Sequence, residues 1–324
     1  MDNALAKIVN RAKTFYAKTM HYGISIAWLD LVDSQKHRLK IVPNSINQKK
    51  HDTINKWLLT TYRYFIEEYM NTVQADSVQP AIPKLLWICW WDGIDAMPPI
   101  VKACYNSMRQ NANEYKITVI TKYNFTEYIA IPDHVLTKMN AGIMTVTHFS
   151  NIVRMSLLDK YGGLWLDATI LVTGRIELDS SNFFTLKGPY GGEDVPRRRW
   201  TGNCIGGSPK VYLFGFIREF LCEYWKDHTD MIDYFLYDYS IAMAYTAIPA
   251  IKEAIDGVPI KNTNNIESYM VMQDHLGNEF DSTVYDKAIT NSVFHKLTWK
   301  NNYVPLTSDN KLTLYGYILE HYGE

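Results

Sequence analysis

Between residues 84 and 172 the chain alternates apolar, β-rich segments with segments of helical periodicity. We predict strands at 84–91, 115–121 and 164–172, and helices between them at 98–111 and 145–160. The second helix runs into Gly162-Gly163, which is typical of a helix end. Parallel strands need long crossover connections, which are usually helices. The order strand, helix, strand, helix, strand therefore predicts an α/β fold with a parallel sheet covered by helices.

The flanking regions are predicted to be mainly helical. Periodicity is lost over residues 71–81, and Pro80 and Pro83 follow, so we place a boundary there between a helical N-terminal region, 1–80, and an α/β domain, 81–324. Beyond Gly174 we expect loops at 191–207, aromatic helices at 211–225 and 231–247, and a mostly helical C-terminal region that closes in a short β-leaning tail.

Charge and cysteine content exclude several classes of protein. The 324 residues hold 33 Lys and Arg against 34 Asp and Glu, and this balance argues against bulk nucleic-acid binding. The four cysteines show no Cys-x-x-Cys spacing, so we expect reduced, structural thiols rather than zinc ligands or disulfides. The apolar stretch Tyr22–Val32 is about half of the ~20 residues that a spanning helix needs, and no secretory signal is visible. We expect a cytoplasmic protein.

The N-terminal region is basic and amphipathic. Residues 1–57 hold ten Lys and Arg against four Asp and Glu. Apolar stripes at helical spacing run over 5–16 and 54–69. One interpretation is helices packed on the main domain with solvated basic faces. The other is a surface that docks on the anionic inner leaflet of the membrane. Its basic residues would be Lys7, Arg11, Lys13 and Lys18.

The candidate chemistry centres on Asp167, which comes late in an otherwise apolar predicted strand. A carboxylate there is costly to bury unless it is paired, hydrogen-bonded or bound to a metal. In open α/β sheets, ligands bind outside the carboxyl ends of the strands, where this side chain would emerge. Asn151 and Arg154, three residues apart on the preceding helix, share a face.

Three segments together resemble glycosyltransferase family 32, and within it most closely the bacterial capsular polysaccharide synthesis glycosyltransferases. They are Ile82–Trp87, Ser150–Arg154 and Tyr161–Thr169; segments 233–239 and 295–298 are also similar to the capsular branch. The resemblance implies a GT-A (Rossmann-like) fold, with a donor half at about 81–175 and an acceptor half at about 176–324. It also implies transfer of a hexose, with retention of configuration, from a nucleotide-diphosphate sugar, with UDP expected. The acceptor would be a cell-surface polysaccharide or a lipid-linked oligosaccharide.

The resemblance also implies which residues act. Those expected to take part in catalysis are Asn151, Arg154 and Asp167. A departing diphosphate needs positive charge nearby, and Arg can donate two hydrogen bonds to it at once. A retaining reaction needs no strong dedicated base, because the departing phosphate can take the acceptor proton. The wider set expected to bind the nucleotide sugar is Trp87, Cys89, Trp90, Trp91, Ser150, Asn151, Arg154, Asp167, Ala168 and Thr169.

Two positions depart from the family pattern. Asn151 stands where the family has Asp, and Thr169 stands where it has the second Asp of the Asp-x-Asp motif. A hydroxyl is a weaker ligand than a carboxylate for Mn²⁺ or Mg²⁺. Either Asp167 holds the ion with help from a residue such as His295, or cationic side chains replace it. The basic loop Arg197–Arg199 is a candidate for such a replacement.

Two other functions remain open. The changes at positions 151 and 169 are compatible with a degenerate glycosyltransferase domain kept as a scaffold in a polysaccharide-assembly complex. A sugar nucleotidyltransferase or phosphotransferase is less favoured, because the residues after the first strand, Trp90–Gly93, do not form a glycine-rich phosphate loop. Four acids are weaker site candidates: Glu193 and Asp194 for orienting an acceptor hydroxyl, and Asp233 and Asp238 for lining the acceptor cleft or capping a helix.

Overall fold

The computed structural model describes residues 2–35, 44–72, 80–178, 182–260 and 266–323. Its strands are β1 (Leu85–Cys89), β2 (Lys116–Ile120), β3 (Gly163–Leu166), β4 (Ile170–Val172), β5 (Phe183–Thr185), β6 (Cys204–Gly207) and β7 (Phe294–Lys296). The helices up to β3 are α1 (Asp2–Tyr22), α2 (Ile24–Asp33), α3 (Asn44–Thr61), α4 (Arg63–Thr72), α5 (Pro99–Asn111), α6 (Phe125–Tyr128), α7 (Asp133–Asn140) and α8 (Val146–Tyr161). The later helices are α9 (Tyr212–Asp227), α10 (Leu236–Ala247), α11 (Pro249–Gly257), α12 (Ile266–His275), α13 (Ser282–Asn291) and α14 (Leu314–Tyr322).

A five-stranded mixed sheet in the order β2-β1-β3-β6-β5 lies at the centre. β1 is parallel to both β2 and β3, with Leu86 opposite Leu164, whereas β6 and β5 add antiparallel strands beyond β3. The predicted α/β class and parallel arrangement are therefore right for the first three strands. The sequence analysis missed β6, which lies inside the predicted loop at 191–207.

Both faces of the sheet are covered by hydrophobic side chains. Successive strand residues point to opposite faces, so Trp87 and Trp165 pack with α8, α9 and α10, while Leu86 and Leu164 pack with α5, α12 and α14. This two-sided burial explains why β1 and β3 are near-continuous apolar runs.

The predicted strand 164–172 is broken in two, which corrects the sequence interpretation. After Leu166 the chain makes a tight turn in which the amide of Ile170 donates to the carbonyl of Asp167 at 2.9 Å. β4 then leaves the central sheet and pairs antiparallel with β7, which places Ile170 opposite Lys296. The turn holds Asp167 and Thr169 at the carboxyl end of β3.

The two apolar stripes of the N-terminal helices differ in how far they are buried. The second apolar stripe is buried as the packing interpretation predicts, with Ile54 and Leu58 in one core with α9 and α10. Lys50 extends this attachment through a 2.8 Å ion pair with Asp233. The first stripe is not covered: Tyr16 is 67% exposed in the described chain. Residues on both sides of position 80 contribute to one hydrophobic core. The proposed domain boundary at this position stays a prediction.

The C-terminal region is mostly helical, as expected, but the tail is helix α14 rather than β-leaning. Thr313 caps this helix by accepting a hydrogen bond from the amide of Gly316 at 3.0 Å, and Leu314 and Ile318 are buried against α5. The second aromatic helix begins at Leu236, five residues later than predicted. Among the described residues, no helix is long and apolar enough to cross a membrane.

Candidate functional site

A cavity of about 650 Å³ opens at the carboxyl ends of β1 and β3. Its volume lies within the usual range for small-molecule sites. The strand ends and α8 supply Cys89, Trp90, Trp91, Asp92, Val146, Thr147, Ser150, Arg154, Trp165, Asp167, Ala168 and Thr169. The remaining wall consists of Asn203, Tyr234, Gln273, Lys296, Leu297, Thr298, Trp299 and Lys300.

Asp167 is the centre of the polar network in this cavity. Its Oδ1 accepts hydrogen bonds from a terminal nitrogen of Arg154 and from the indole nitrogen of Trp165, both at 2.9 Å. Its amide donates to the carbonyl of Asn203, which holds the turn against the start of β6. The carboxylate remains 28% exposed, so a ligand can reach it.

Arg154 is buried and held in place from several directions. It donates to the carbonyl of Gly202 at 2.6 Å, and its guanidinium lies 4.8 Å from the ring of Trp165 and 4.9 Å from that of Tyr237. Its Nε is buried without a hydrogen-bond partner. The side chain is therefore a fixed cation in the cavity wall rather than a mobile one.

Lys296 closes the other side of the carboxylate. Its ammonium lies 3.2 Å from Oδ2 of Asp167 and 2.7 Å from the hydroxyl of Thr169. β7 places it there: Lys296 pairs with Ile170, and the amide of Leu297 donates to the carbonyl of Thr169 at 2.9 Å. One ammonium thus bridges the two residues at the Asp-x-Asp positions of the resembled family.

The two cations set the charge state of Asp167. Burial alone would raise its pKa, but Lys296 and Arg154 hold the pKa of the carboxyl below its ordinary value. Burial disfavours the charge of Arg154, yet the adjacent Asp167 keeps its pKa above the ordinary value. The carboxylate is therefore ionised and tightly held, which makes it a poor general base.

The residues present do not fit a divalent metal ion. Within the described residues, no group of three or more His, Cys, Asp or Glu side chains could hold one. Both oxygens of Asp167 accept hydrogen bonds from cationic side chains, and the hydroxyl of Thr169 is taken by Lys296.

Most of the residues expected at the nucleotide sugar lie at the cavity, but two do not. Trp87 is buried in the core, where its indole nitrogen donates to the carbonyl of Gly162 and its ring contacts Tyr128 and Tyr161. Asn151 is also buried and does not line the cavity, although it is one turn from Arg154. Neither position contradicts a supporting role, and the roles of the lining residues remain predictions.

His295 lies outside the cavity, which corrects its suggested place beside a metal. It is buried between Thr173, 3.1 Å from its Nε2, and the carbonyl of Ser268. Alternation along β7 explains this, because adjacent strand residues face opposite ways and Lys296 takes the cavity side. Burial lowers the pKa of His295 to about 4, so the ring is neutral at pH 7.

The Arg197–Arg199 loop does not reach the cavity either. Arg197 pairs with Asp52 on α3 at 3.2 Å, and Arg198 pairs with Glu267 on α12 at 3.0 Å. Arg199 stacks over Trp200 and Tyr245. These contacts tie the loop to neighbouring helices and away from Asp167.

The four acids singled out in the sequence also lie away from the cavity wall. Asp194 accepts from the amide of Arg197, and the carbonyl of Glu193 accepts from Asn47 on α3. Asp233 accepts from the amide of Phe235, the N-cap residue of α10, and pairs with Lys50, but it does not cap the helix, because α10 has no side-chain cap hydrogen bond. Asp238 accepts from the indole of Trp200.

Sequence reasoning missed the wall supplied by residues 296–300. Trp299 is 46% exposed and lies edge-on to Trp90 with ring centroids 5.6 Å apart, and Lys300 is exposed beside it. The signal was present in the segment 295–298, which resembles the capsular branch. The strand period of two would have shown that only one of His295 and Lys296 can face the cavity.

A second cavity of about 710 Å³ is slightly larger but less suited to an anionic ligand. Its wall carries Glu68, Glu219 and Glu223 against Arg218 and Lys226. It contains none of the residues around Asp167, so the first cavity is the candidate functional site.

Comparison with known proteins identifies the family. A model of the capsular polysaccharide synthesis protein family matches residues 36–318. The chain belongs to this family. The match includes the described strands and the whole network around Asp167, and it supports the capsular polysaccharide synthesis part of the resemblance.

Individual relatives are more distant. The O-glycosyltransferase PaGT of Phomopsis amygdali is 27% identical over 121 residues, a match that covers 34% of this chain and 30% of that protein. The chain therefore matches less than a third of this relative's length. A solved structure, PaToxG Glycosyltransferase, is 11% identical with a TM-score of 0.40, over 74% of this chain and 94% of that chain. The family membership and the PaGT match agree with the expectation of a glycosyltransferase.

Proposed function

We propose that this protein is a glycosyltransferase that moves a hexose from a nucleotide-diphosphate sugar, with UDP expected, to a surface polysaccharide or lipid-linked oligosaccharide. The observation that carries the proposal is Asp167 held between Arg154 and Lys296 in a cavity walled by tryptophans. The membership of the capsular polysaccharide synthesis family supports the class of acceptor.

The charges of the cavity suit a diphosphate. Arg154, Lys296 and Lys300 face Asp92 and Asp167, which leaves one positive charge in excess. Asp92 is also paired with Lys122 at 2.7 Å. A leaving nucleoside diphosphate develops negative charge as its bond to the sugar breaks, and preorganised cations stabilise that charge.

The aromatic wall suits a base or a sugar ring. Trp90, Trp299 and Tyr234 line the cavity, and the last two are 46% and 59% exposed in the described chain. Planar apolar faces stack on nucleobases and on the C–H faces of sugars. The cavity therefore combines a stacking surface with cations, as a nucleotide sugar requires.

The carboxylates in the cavity support transfer with retention of configuration. Of the two, Asp167 is held ionised by two cations, and Asp92 pairs with Lys122. No carboxylate of the described cavity wall is placed as an activated general base. In the reaction we propose, the departing phosphate accepts the proton of the acceptor hydroxyl, and the parallel strands β1 to β3 serve as the donor half of a GT-A-type domain.

The nucleotide proposal is tested by calorimetric titration of UDP and GDP into the purified protein. We expect one nucleotide to bind, and we expect Trp299→Ala and Asp167→Asn to change that binding. A second assay follows release of UDP from UDP-hexoses with and without a glycan extract, and proton NMR of the product reads the anomeric configuration. Absence of binding by either nucleotide would reject the donor class.

A scaffold without catalysis is the second candidate. Thr169 in place of a carboxylate and the engagement of both Asp167 oxygens favour it. The same assays separate the two candidates, because a scaffold would not release nucleotide from any donor sugar.

We also propose that α1 and α2 contact an anionic lipid surface, where a lipid-linked acceptor would lie. Tyr16, Met20 and Trp28 on these helices are more than half exposed, and Arg11 and Lys13 lie on the exposed surface of α1. Exposed apolar and basic residues together are drawn to anionic interfaces.

The basic set for this contact differs from the one suggested by the sequence. Lys18 is paired with Asp30 at 2.7 Å and donates to the carbonyl of Ile232, so it fastens α1 to α2 and the body of the protein. The side chain of Lys7 lies outside the described residues. Arg11 and Lys13 therefore carry the proposal in the described chain.

A further inference from the structure

We propose that the ammonium of Lys296 takes the place of a divalent metal ion, so that this site binds its nucleotide diphosphate without metal. The inference rests on the proposed nucleotide donor and assigns a diphosphate-binding role to a residue outside the recognised motifs. It starts from the bridge that Lys296 makes between Asp167, at 3.2 Å, and Thr169, at 2.7 Å.

The charge balance supports this role. A pair of carboxylates with a divalent cation sums to zero, and so does one carboxylate with one ammonium. Thr169 removes one negative charge from the motif, and Lys296 carries one positive charge where a metal would carry two. Arg154, on the other oxygen of Asp167, then leaves a net positive charge for the diphosphate in either arrangement.

The donor geometry leaves capacity for a ligand. An ammonium has three N–H donors, and Asp167 and Thr169 accept two of them. The side chain of Lys296 is 19% exposed and lines the cavity. A diphosphate oxygen can accept the third N–H as a charge-assisted hydrogen bond, which is stronger than a neutral one.

The position of Lys296 is built into the fold. Phe294 and His295, the other two residues of β7, are buried and anchor this short strand. The pairing of β7 with β4 places Lys296 opposite Ile170, at the end of the turn that begins at Asp167. An ammonium held in this way is preorganised, because Asp167 and Thr169 fix it before the ligand arrives.

The test compares wild type with Lys296→Met and with the double variant Lys296→Met/Thr169→Asp. Mn²⁺ binding is read directly from the electron paramagnetic resonance signal of the free ion, and binding of UDP and GDP is read by calorimetry in EDTA and in Mn²⁺. We expect the wild type to take up no Mn²⁺ at this site and to bind nucleotide equally in both buffers. We expect Lys296→Met to weaken nucleotide binding in EDTA by about 10- to 100-fold, as expected for loss of one charge-assisted contact.

The double variant rebuilds a carboxylate pair without the lysine. We expect it to bind one Mn²⁺ per chain and to regain nucleotide binding only when Mn²⁺ is present. Lys296→Arg keeps the charge and should retain binding in EDTA, which separates loss of charge from loss of fold. Lys311→Met, at an exposed lysine paired with Glu279, is the matched control and should behave as wild type.

Three results would overturn the inference: stoichiometric Mn²⁺ uptake by the wild type that Asp167→Asn abolishes, loss of wild-type nucleotide binding in EDTA, or unchanged binding in Lys296→Met. Failure of both nucleotides to bind the wild type would instead overturn the proposed donor. In that case Mn²⁺ uptake by the double variant but not the wild type would still support Lys296 as the occupant of a cation position.

Discussion

The guanidinium of Arg154 lies 2.9 Å from the carboxylate of Asp167, although one residue is on a helix and the other follows a strand. The pair fixes Asp167 at the edge of the sheet, and Lys296 reaches the same carboxylate from β7. Two cations on one carboxylate leave positive charge in the cavity, and this arrangement underlies the predictions about the site.

Asp167→Asn is expected to lower sugar transfer by about 100-fold or more, because displacement of positioned groups by an ångström can cost that much. It would also leave Arg154 and Lys296 side by side without a counter-charge. Breaking a fully buried ion pair costs about 3–5 kcal/mol. Arg154 is buried but Asp167 is 28% exposed, so the free energy of unfolding should fall by less than this. Asp159→Asn is the matched control: it breaks a partly buried pair with Arg218 away from the cavity. Equal loss of transfer in both variants would show that Asp167 acts only through stability.

Trp299→Ala is expected to weaken nucleotide binding about tenfold or more without lowering stability. Stacking on an aromatic ring contributes about 1–3 kcal/mol per base, and exposed substitutions usually change the free energy of unfolding by less than about 0.5 kcal/mol. Trp87→Phe should lower stability without weakening nucleotide binding, because Trp87 is buried and its indole nitrogen donates a hydrogen bond to the carbonyl of Gly162. Calorimetry and urea unfolding read the two quantities. Weaker nucleotide binding in Trp87→Phe alone would return the stacking role to Trp87.

His295→Gln is expected to reduce the loss of stability that the protein shows as the pH falls below about 6.5. The pKa of His295 is lowered to about 4 by burial, whereas an unfolded histidine titrates near 6.5. As the pH falls from about 6.5 to 4, His295 is protonated in the unfolded chain but stays neutral in the folded chain. The free energy of unfolding therefore falls. The full difference is about 3 kcal/mol. Urea unfolding at pH 5 and pH 7.5 should show about 2 kcal/mol of this difference, because pH 5 lies above the folded-state pKa. The same difference in His295→Gln would show that His295 does not contribute.

Gly163→Ala is expected to destabilise the sheet by about 2–6 kcal/mol, the sum of backbone strain and a steric clash. Gly163 has φ of 98°, and a Cβ there would lie 2.6 Å from the carbonyl oxygen of Leu85 on β1. Gly142→Ala separates the two effects, because Gly142 has φ of 71° with no atom within 4 Å of an added Cβ. It should cost only the strain, about 1–2 kcal/mol. Similar thermal shifts in both variants would exclude the clash.

Tyr16→Ser/Trp28→Ser is expected to reduce binding to phosphatidylserine vesicles about tenfold or more, because burial of each ring in the interface contributes favourable free energy. Both side chains are more than half exposed, so the fold should be unaffected. Tyr123→Ser is the matched control, since Tyr123 is 74% exposed on another part of the surface. Co-sedimentation measures binding. If the double variant and the control bind vesicles equally well, α1 and α2 do not form the lipid contact.

The sequence by itself determined the elements whose signals are local. The apolar run at β1, the helical periodicity over 145–160 and the glycine end at Gly162 predicted a strand and a helix that the structure confirms within about two residues. Asp167 was also recognisable as a site candidate, because a carboxylate in an apolar strand is costly to bury unless it is paired, hydrogen-bonded or bound to a metal. The family motifs lie in this same segment, so the family was visible from sequence.

The tertiary structure alone decided which second cation, besides Arg154, meets Asp167. Lys296 is 129 residues away in the chain, and only the pairing of β4 with β7 brings them together. The same pairing turns His295 away from the cavity. The ion pairs of Arg197 with Asp52 and of Arg198 with Glu267 hold the basic loop away from Asp167. Local patterns report which face of a strand a residue occupies once the register is known, but the register depends on long-range contacts that no local window contains.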